Sequence, residues 1–524
     1  MSVGLCAPVG AVVNEVGTNC CGFLSSLLRQ SSPMFATPLT VTIPSVELLR
    51  IPCFLRRWNC VLQAGGDSCS RGAGGCADAV YGLLPALQRP ALGAARARRP
   101  RAGPGGKDLS RGKGGLPALP AASARGKAGR RPGPPERNPE PERPKGGPDM
   151  DRPWFQSYAQ GIPHSLDYER TPMTQALART AREFPDQAAL IFIDSKITYR
   201  QLDGMANRFA NALIDMGVKP GDRVAMLMPN MPQLVAAVYG AWRAGAVVVM
   251  NNPLYTDVEL EYQFNNSGST HLVAIDLICP RMIALRPKTR IQNLVVAHIR
   301  DHLKFPKKQL LPIVAKDKHR KIPPTPNVHE WTDLLKKYPP TDPRVPVDFD
   351  GLACLQYTGG TTGVSKGVML THANLSKNVQ QIVAWFPGFN KGEINHLGVL
   401  PIFHSFGLTC CMNICVWMGW TDVLIPRPEP QAILEAIHKH KINFFPAVPT
   451  MYVGVLNHPE ASKFDLTSIK GCFSGAAPLP VEVIKEFEAK TGSQICEGYG
   501  LSETSPVATT NPYRGKTKVG SIGL

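Results

Sequence analysis

Between positions 202 and 275 the chain switches repeatedly between two hydrophobic patterns, and no other feature restricts its fold as much. Leu202, Met205, Ala206, Phe209, Leu213 and Met216 recur at helical spacing with polar residues between them. The stretch GVKPGD (217–222) then supplies the Gly and Pro that end a helix. By contrast RVAMLM (223–228), AVVVM (246–250) and LVAI (272–275) are almost wholly apolar. Such runs suit strands covered on both faces, and helices are expected between them over 231–244 and 256–266. The alternation predicts an α/β fold in layers around a largely parallel sheet. No internal repeat of fixed period is visible.

This texture starts near Met150. From 82 to 148 there is no Val, Ile, Phe, Tyr, Trp or Thr, and the composition is dominated by Gly, Pro, Ala and Arg. Such a stretch has too little apolar surface to offset its chain entropy. Residues 1–149 are therefore expected to be a disordered, non-functional extension, translated upstream of a start at Met150. That expectation also disposes of the charge. The net +18 suggests a nucleic-acid partner. Yet the first 149 residues hold 20 Lys and Arg against nine Asp and Glu, so most of the excess lies outside the folded part. The extension has no aromatic residue between 82 and 148 on which bases would stack, and no nucleic-acid partner is expected. Cys53, Cys60, Cys69 and Cys76 are too widely spaced for zinc knuckles. The seven cysteines after 150 lie mostly in apolar surroundings and read as buried, reduced thiols of a cytoplasmic protein. No apolar run reaches the length of a membrane span; the best, 234–250, contains Arg243.

YTGGTTGVSKG (357–367) follows the apolar run LACLQY (352–357), and helical signals resume only after Thr371. The loop thus sits at the carboxyl end of a strand, where open α/β sheets bind ligands. Its glycines admit close backbone approach, and Thr358, Thr361, Thr362 and Ser365 add hydroxyls. Lys366 adds a positive charge, and the set suits a polyphosphate. It is not a Walker A loop, because Ser365 precedes the lysine and Gly367 follows it.

The stretch YTGGTTGVSKGVMLTHANL resembles the signature of the adenylate-forming superfamily: acyl-CoA synthetases, luciferases and peptide-synthetase adenylation domains. PIFHSFGL (401–408), FSGAAPLP (473–480) and EGYGLSET (497–504) resemble its later motifs, in the family's order. The resemblance covers 150–524 and is nearest in wording to bacterial long-chain fatty acid–CoA ligases. It implies a layered αβαβα large N-terminal domain and a two-step reaction. A carboxylate attacks the α-phosphate of ATP, and CoA then displaces AMP. The partners implied are a fatty acid, ATP and CoA, with Mg²⁺. Two alternatives stay open: a nucleotide- or lipid-binding remnant, and a ligase for a different carboxylic acid.

Carried onto this sequence, the resemblance gives the β- and γ-phosphates to Thr358, Gly359, Gly360, Thr361, Thr362, Gly363 and Lys366. Gly475, Ala476 and Ala477 would lie beside the adenine, with Tyr499 offering a ring face next to Gly500. Ser502 replaces the family's threonine near the α-phosphate and keeps its hydroxyl. Glu503 would ligate Mg²⁺, and His404 would line the junction of acyl carboxylate and phosphate. Catalytic roles are thereby implied for Thr358, Lys366, His404 and Glu503. The segments 407–420 and 444–456 are rich enough in apolar residues for an acyl pocket, or for ordinary core. Asp422 and His438 carry no signal that separates them from surface residues. The stretch 304–323 mixes Leu310, Leu311, Ile313 and Val314 with seven Lys and Arg. It reads either as a contact with the inner face of a membrane or as a solvated basic excursion, Pro306 and Pro312 interrupting any amphipathic helix. The family's ribose-binding acidic residue, hinge and small C-terminal domain have no counterpart before Leu524, so the chain is expected to be a fragment with little activity alone.

Overall fold

Three threonines open three of the helices, each closing a reciprocal cap with the third residue of the helix. Thr198 pairs with Gln201, Thr256 with Glu259 and Thr371 with Asn374. Each cap satisfies N–H groups that a helix start leaves without partners. The helices Tyr199–Asp215, Pro232–Arg243 and Asp257–Ser267 match the expected ones to within a turn. The computed structural model describes residues 152–314, 318–359 and 364–524. The proposed extension, 1–149, lies outside the described residues, and so do Gly360, Thr361, Thr362 and Gly363.

A hairpin of β1 (Ala188–Phe192) and β2 (Ser195–Thr198) is followed by β3 (Arg223–Leu227), β4 (Val247–Met250), β5 (His271–Ile275), β6 (Asn293–Ala297) and β7 (Val328–Glu330). Next come β8 (Leu352–Thr358), β9 (Lys366–Thr371), β10 (Asn395–Gly398), β11 (Thr421–Leu424), β12 (Phe444–Ala447), β13 (Gly471–Ser474), β14 (Gln494–Gly500) and β15 (Val507–Thr510). They form two sheets, in the orders β7-β6-β5-β3-β4-β8-β9 and β15-β14-β13-β12-β10-β11-β1-β2. Neighbours are parallel except β1/β2, β8/β9 and β14/β15. The α/β expectation holds, with antiparallel strands confined to sheet edges.

One hydrophobic core spans both sheets and includes Val224 and Val248 of the first with Leu397 and Phe444 of the second. All twelve residues of Pro232–Arg243 are buried within it. This helix bonds in both directions: Trp242 Nε1 donates to Ala353 O of β8 (2.8 Å) and the Tyr239 hydroxyl to Asn413 Oδ1 (3.0 Å). Its buried Arg243 is paired with Asp203, which explains a charge inside an otherwise apolar run. The helix also lies tight on Tyr199–Asp215, because a Cβ on Gly240 would come within 2.8 Å of Ala206 O. The seven cysteines after 150 are free and buried, as expected.

Two expectations are corrected. Pro306 does not prevent a helix: Lys307–Val314 is helical, and the Pro306 carbonyl accepts from Gln309 N and Leu310 N at its start. A proline's fixed φ suits a helix entrance, and Pro312 falls in the last turn. Asp422 is no surface residue: it is buried on β11, with its Oδ1 3.0 Å from His396 Nδ1. Every residue from 405 to 424 is buried.

Candidate functional site

Strands β10, β13 and β14 run parallel, and the loops at their carboxyl ends meet in one cleft. A cavity of about 220 Å³ there is lined by His404, Ser405, Phe406, Gly475, Ala476, Tyr499, Gly500 and Ser502, among others. Chain segments up to about 100 residues apart in sequence are thus brought together by strands of one sheet, with β12 between β10 and β13. Phe406 stands edge-on to Phe473 at 5.5 Å and forms the apolar wall. Gly475 faces that wall, and a Cβ there would lie 3.2 Å from the Phe406 ring. Tyr499 is 43% exposed, so its ring face is open. Ser502 Oγ lies 3.4 Å from Ser405 Oγ, linking two of the motifs across the cleft. His404 caps the short turn Ser405–Gly407, its Nδ1 accepting from Phe406 N at 3.2 Å. The ring edge reaches solvent, but the surrounding protein desolvates it and lowers its pKa from the ordinary imidazole value.

The glycine–threonine stretch joins β8 to β9, which pair antiparallel with Thr358 opposite Lys366. It leads into a strand and not a helix, which agrees with the failure of the Walker A pattern. Ser365 Oγ donates to Thr358 O at 2.8 Å and closes the hairpin, so this hydroxyl's proton is already engaged. Lys366 is exposed, and β9 packs beside the turn Ser502–Thr504 that carries Glu503. Glu503 is also exposed, and neither residue joins an ion pair among the described residues. Glu503 lines the adjoining cavity of about 620 Å³, which reaches Lys377, Trp385 and His164. Ala477 is exposed and does not line the smaller cleft.

A family model described as AMP-binding enzyme matches residues 177–524. The chain belongs to the AMP-binding enzyme family. A long-chain-fatty-acid–CoA ligase from Bacillus subtilis is 41% identical over 376 residues, covering 71% of this chain and 67% of that protein. The protein of the same name from Yersinia pestis is 32% identical, covering 72% and 68%. The chain thus spans about two thirds of the length of these relatives. A solved long-chain-fatty-acid-CoA ligase from Archaeoglobus fulgidus has the same fold, with a TM-score of 0.57, 24% identity and 68% of each chain covered.

Two residues of this AMP-binding fold were missed in the sequence. Asn230, buried after β3, donates to Gly398 O (3.0 Å) and Leu400 O (2.8 Å) and accepts from Ile402 N (2.9 Å). Gln356 of β8 donates to Phe403 O at 2.7 Å. Together they fix the strand exit that carries His404. The only sequence signal was an amide in an otherwise apolar setting.

Proposed function

We propose that this AMP-binding enzyme activates a long-chain fatty acid with ATP. The carboxylate oxygen bonds to the α-phosphorus, pyrophosphate leaves, and the thiol of CoA then displaces AMP to give the thioester. The convergence of the His404, Gly475 and Tyr499 segments on one cleft carries this reading, together with the relatives' names. The adenine fits between the Tyr499 face and the backbone at Gly475 and Ala476, with Ala477 next in the chain and exposed outside the smaller cleft. Gly500 lets that backbone pass close to the nucleotide, and Ser502 donates toward the α-phosphate. Thr358, Gly359 to Gly363 and Lys366 receive the outer phosphates. His404 orients the acyl carboxylate against the α-phosphate as a neutral hydrogen-bonding group in this reading.

Glu503 suits Mg²⁺, as an exposed carboxylate without an ion-pair partner among the described residues and beside the hairpin. A single protein carboxylate completed by substrate phosphates is an ordinary arrangement for this ion. When bound, it offsets phosphate charge as the two anions approach.

Among the described residues no helix is long and apolar enough to cross a membrane. We place the protein in the cytoplasm with a peripheral contact at the inner face of the membrane. The exposed Phe305 and Leu310 among the lysines of 304–323 support that contact.

The test is ATP binding by calorimetry and fatty-acid-dependent ATP–pyrophosphate exchange, both on the 524-residue chain. Lys366→Ala and Glu503→Gln should each lower exchange roughly a hundred- to a thousandfold, the range for removing one charge-stabilising contact. A folded chain that neither binds ATP nor exchanges pyrophosphate would overturn the reading. ATP binding with no exchange under any acid would favour a nucleotide-binding module.

A further inference from the structure

Three neighbouring parallel strands of the seven-stranded sheet end in residues of types able to ligate metals. Asp276 follows β5, His298 follows β6, and Glu330 is the last residue of β7. The register sets Ile275 beside Ala297 and Val296 beside Glu330, so the three side chains emerge from one edge. A fourth, His319, arrives from the basic excursion. The nucleotide cleft lies at the ends of strands in the other sheet.

Three nitrogens crowd around one buried carboxylate oxygen in this group. Asp276 is 0% and His298 4% exposed. Asp276 Oδ2 is crowded: it accepts from Arg320 N (2.7 Å), lies 3.0 Å from His319 Nδ1, and lies 2.9 Å from His298 Nδ1. Its other oxygen, Oδ1, is buried with no partner. His298 Nε2 lies 2.8 Å from Glu330 Oε2 and donates its proton there. That leaves Nδ1 as the ring nitrogen facing Asp276. His298 Nδ1 makes no hydrogen bond of good geometry despite the short approach. Two such groups sit this close only with a proton or a metal cation between them.

We propose that Asp276, His298 and His319 bind a first-row divalent cation, with Zn²⁺ the best match. One atom from each lies within 4.8 Å of the others. Four-coordinate zinc with bonds of ~2.0–2.2 Å places its ligands about 3.3 Å apart, a few tenths of an ångström wider than these approaches. The Glu330–His298 contact is the carboxylate support that metal-bound imidazoles usually have. The buried Asp276 carboxylate and the Glu330 carboxylate stand on either side of His298, so the pocket favours a cation. Bound metal would tie the basic excursion, through His319, to the end of the sheet.

The experiment is titration of the chelator-stripped 524-residue chain with Zn²⁺ and Co²⁺. One equivalent should bind at this site, with a cobalt spectrum of nitrogen and oxygen ligation. His319→Gln changes a loop residue and should weaken binding at least a hundredfold while leaving the near-UV circular dichroism intact. Glu330→Gln should weaken it roughly ten- to a hundredfold, the usual effect of losing a supporting carboxylate. Affinity and stoichiometry unchanged by His319→Gln would overturn the site. So would a cobalt spectrum dominated by thiolate charge transfer, which would assign the metal to cysteines.

Discussion

The strand exit that carries His404 is held at the cleft by two amides, in addition to the hydrogen bonds within its own motif. Asn230 makes three hydrogen bonds to the chain between Gly398 and Ile402, and Gln356 makes one to Phe403 O. All these groups are in or near the core, where a polar atom left without a partner costs roughly 1–3 kcal/mol. Asn230→Ala should therefore lower stability by at least about 2 kcal/mol. It should also weaken ATP binding, because the strand exit carrying His404 loses its anchor. Gln356→Ala removes a single bond, and its effect should be smaller on both counts. Urea denaturation followed by calorimetry measures the two effects. Equal, negligible changes in both variants would mean that the strand exit is held by packing alone.

At the scale of elements, packing sets opposite demands on two glycines, Gly240 where Pro232–Arg243 meets Tyr199–Asp215 and Gly204 on a face of Tyr199–Asp215 that meets only Pro340. A Cβ on Gly240 would meet Ala206 O at 2.8 Å and the Phe209 ring at 2.9 Å. Overpacking of this kind costs roughly 1–3 kcal/mol, so Gly240→Ala should destabilise by about that amount. Gly204, inside Tyr199–Asp215, has its nearest neighbour at 3.7 Å. Gly204→Ala should stabilise by roughly 0.5–1 kcal/mol, the helix-interior difference between the two residues. Thermal midpoints moving in the same direction for both variants would refute the packing argument. The helices themselves were legible in the sequence, because their signals are local: a capping threonine, helical spacing, and GVKPGD after Asp215. The motif glycines and Tyr499 were legible through resemblance. What escaped depended on partners distant in sequence. Strand β9 was missed because its exposure follows no clean alternation, and Met369 stays exposed. Asp422 was missed because its partner, His396, lies on a neighbouring strand 26 residues away. The Asp276–His298–Glu330 row exists only once three strands are in register.

Across the whole molecule, burial of neutral histidines sets the response to acid. His372 begins a helix directly after its capping threonine and packs edge-on to Trp242 at 5.6 Å. Burial pushes its pKa down to about 4, only partly opposed by Asp348, and His302 is likewise pushed to about 4 by burial and by Lys308. The N-terminal end of the helix dipole adds to the cost of a proton at His372. In the unfolded chain both rings titrate near 6.5. Between these values the unfolded state binds protons that the folded state refuses, so stability falls as pH drops from about 6.5 toward 4. Above 6.5 neither ring contributes to the slope. Over the full window His372 alone amounts to about 3 kcal/mol, and roughly 2 kcal/mol of it is lost by pH 5. Carboxylates held down by partners, such as Glu169 beside Thr171 and Arg179, act only at lower pH, through their own depressed values. The two contributions therefore separate on the pH axis. Urea midpoints of the parent chain and His372→Asn, measured from pH 7 to 5, provide the test. The variant should start less stable but lose about 2 kcal/mol less over that interval. Parallel curves for the two proteins would show that His372 takes up its proton without cost in the folded state, and would remove burial as the cause of the acid sensitivity.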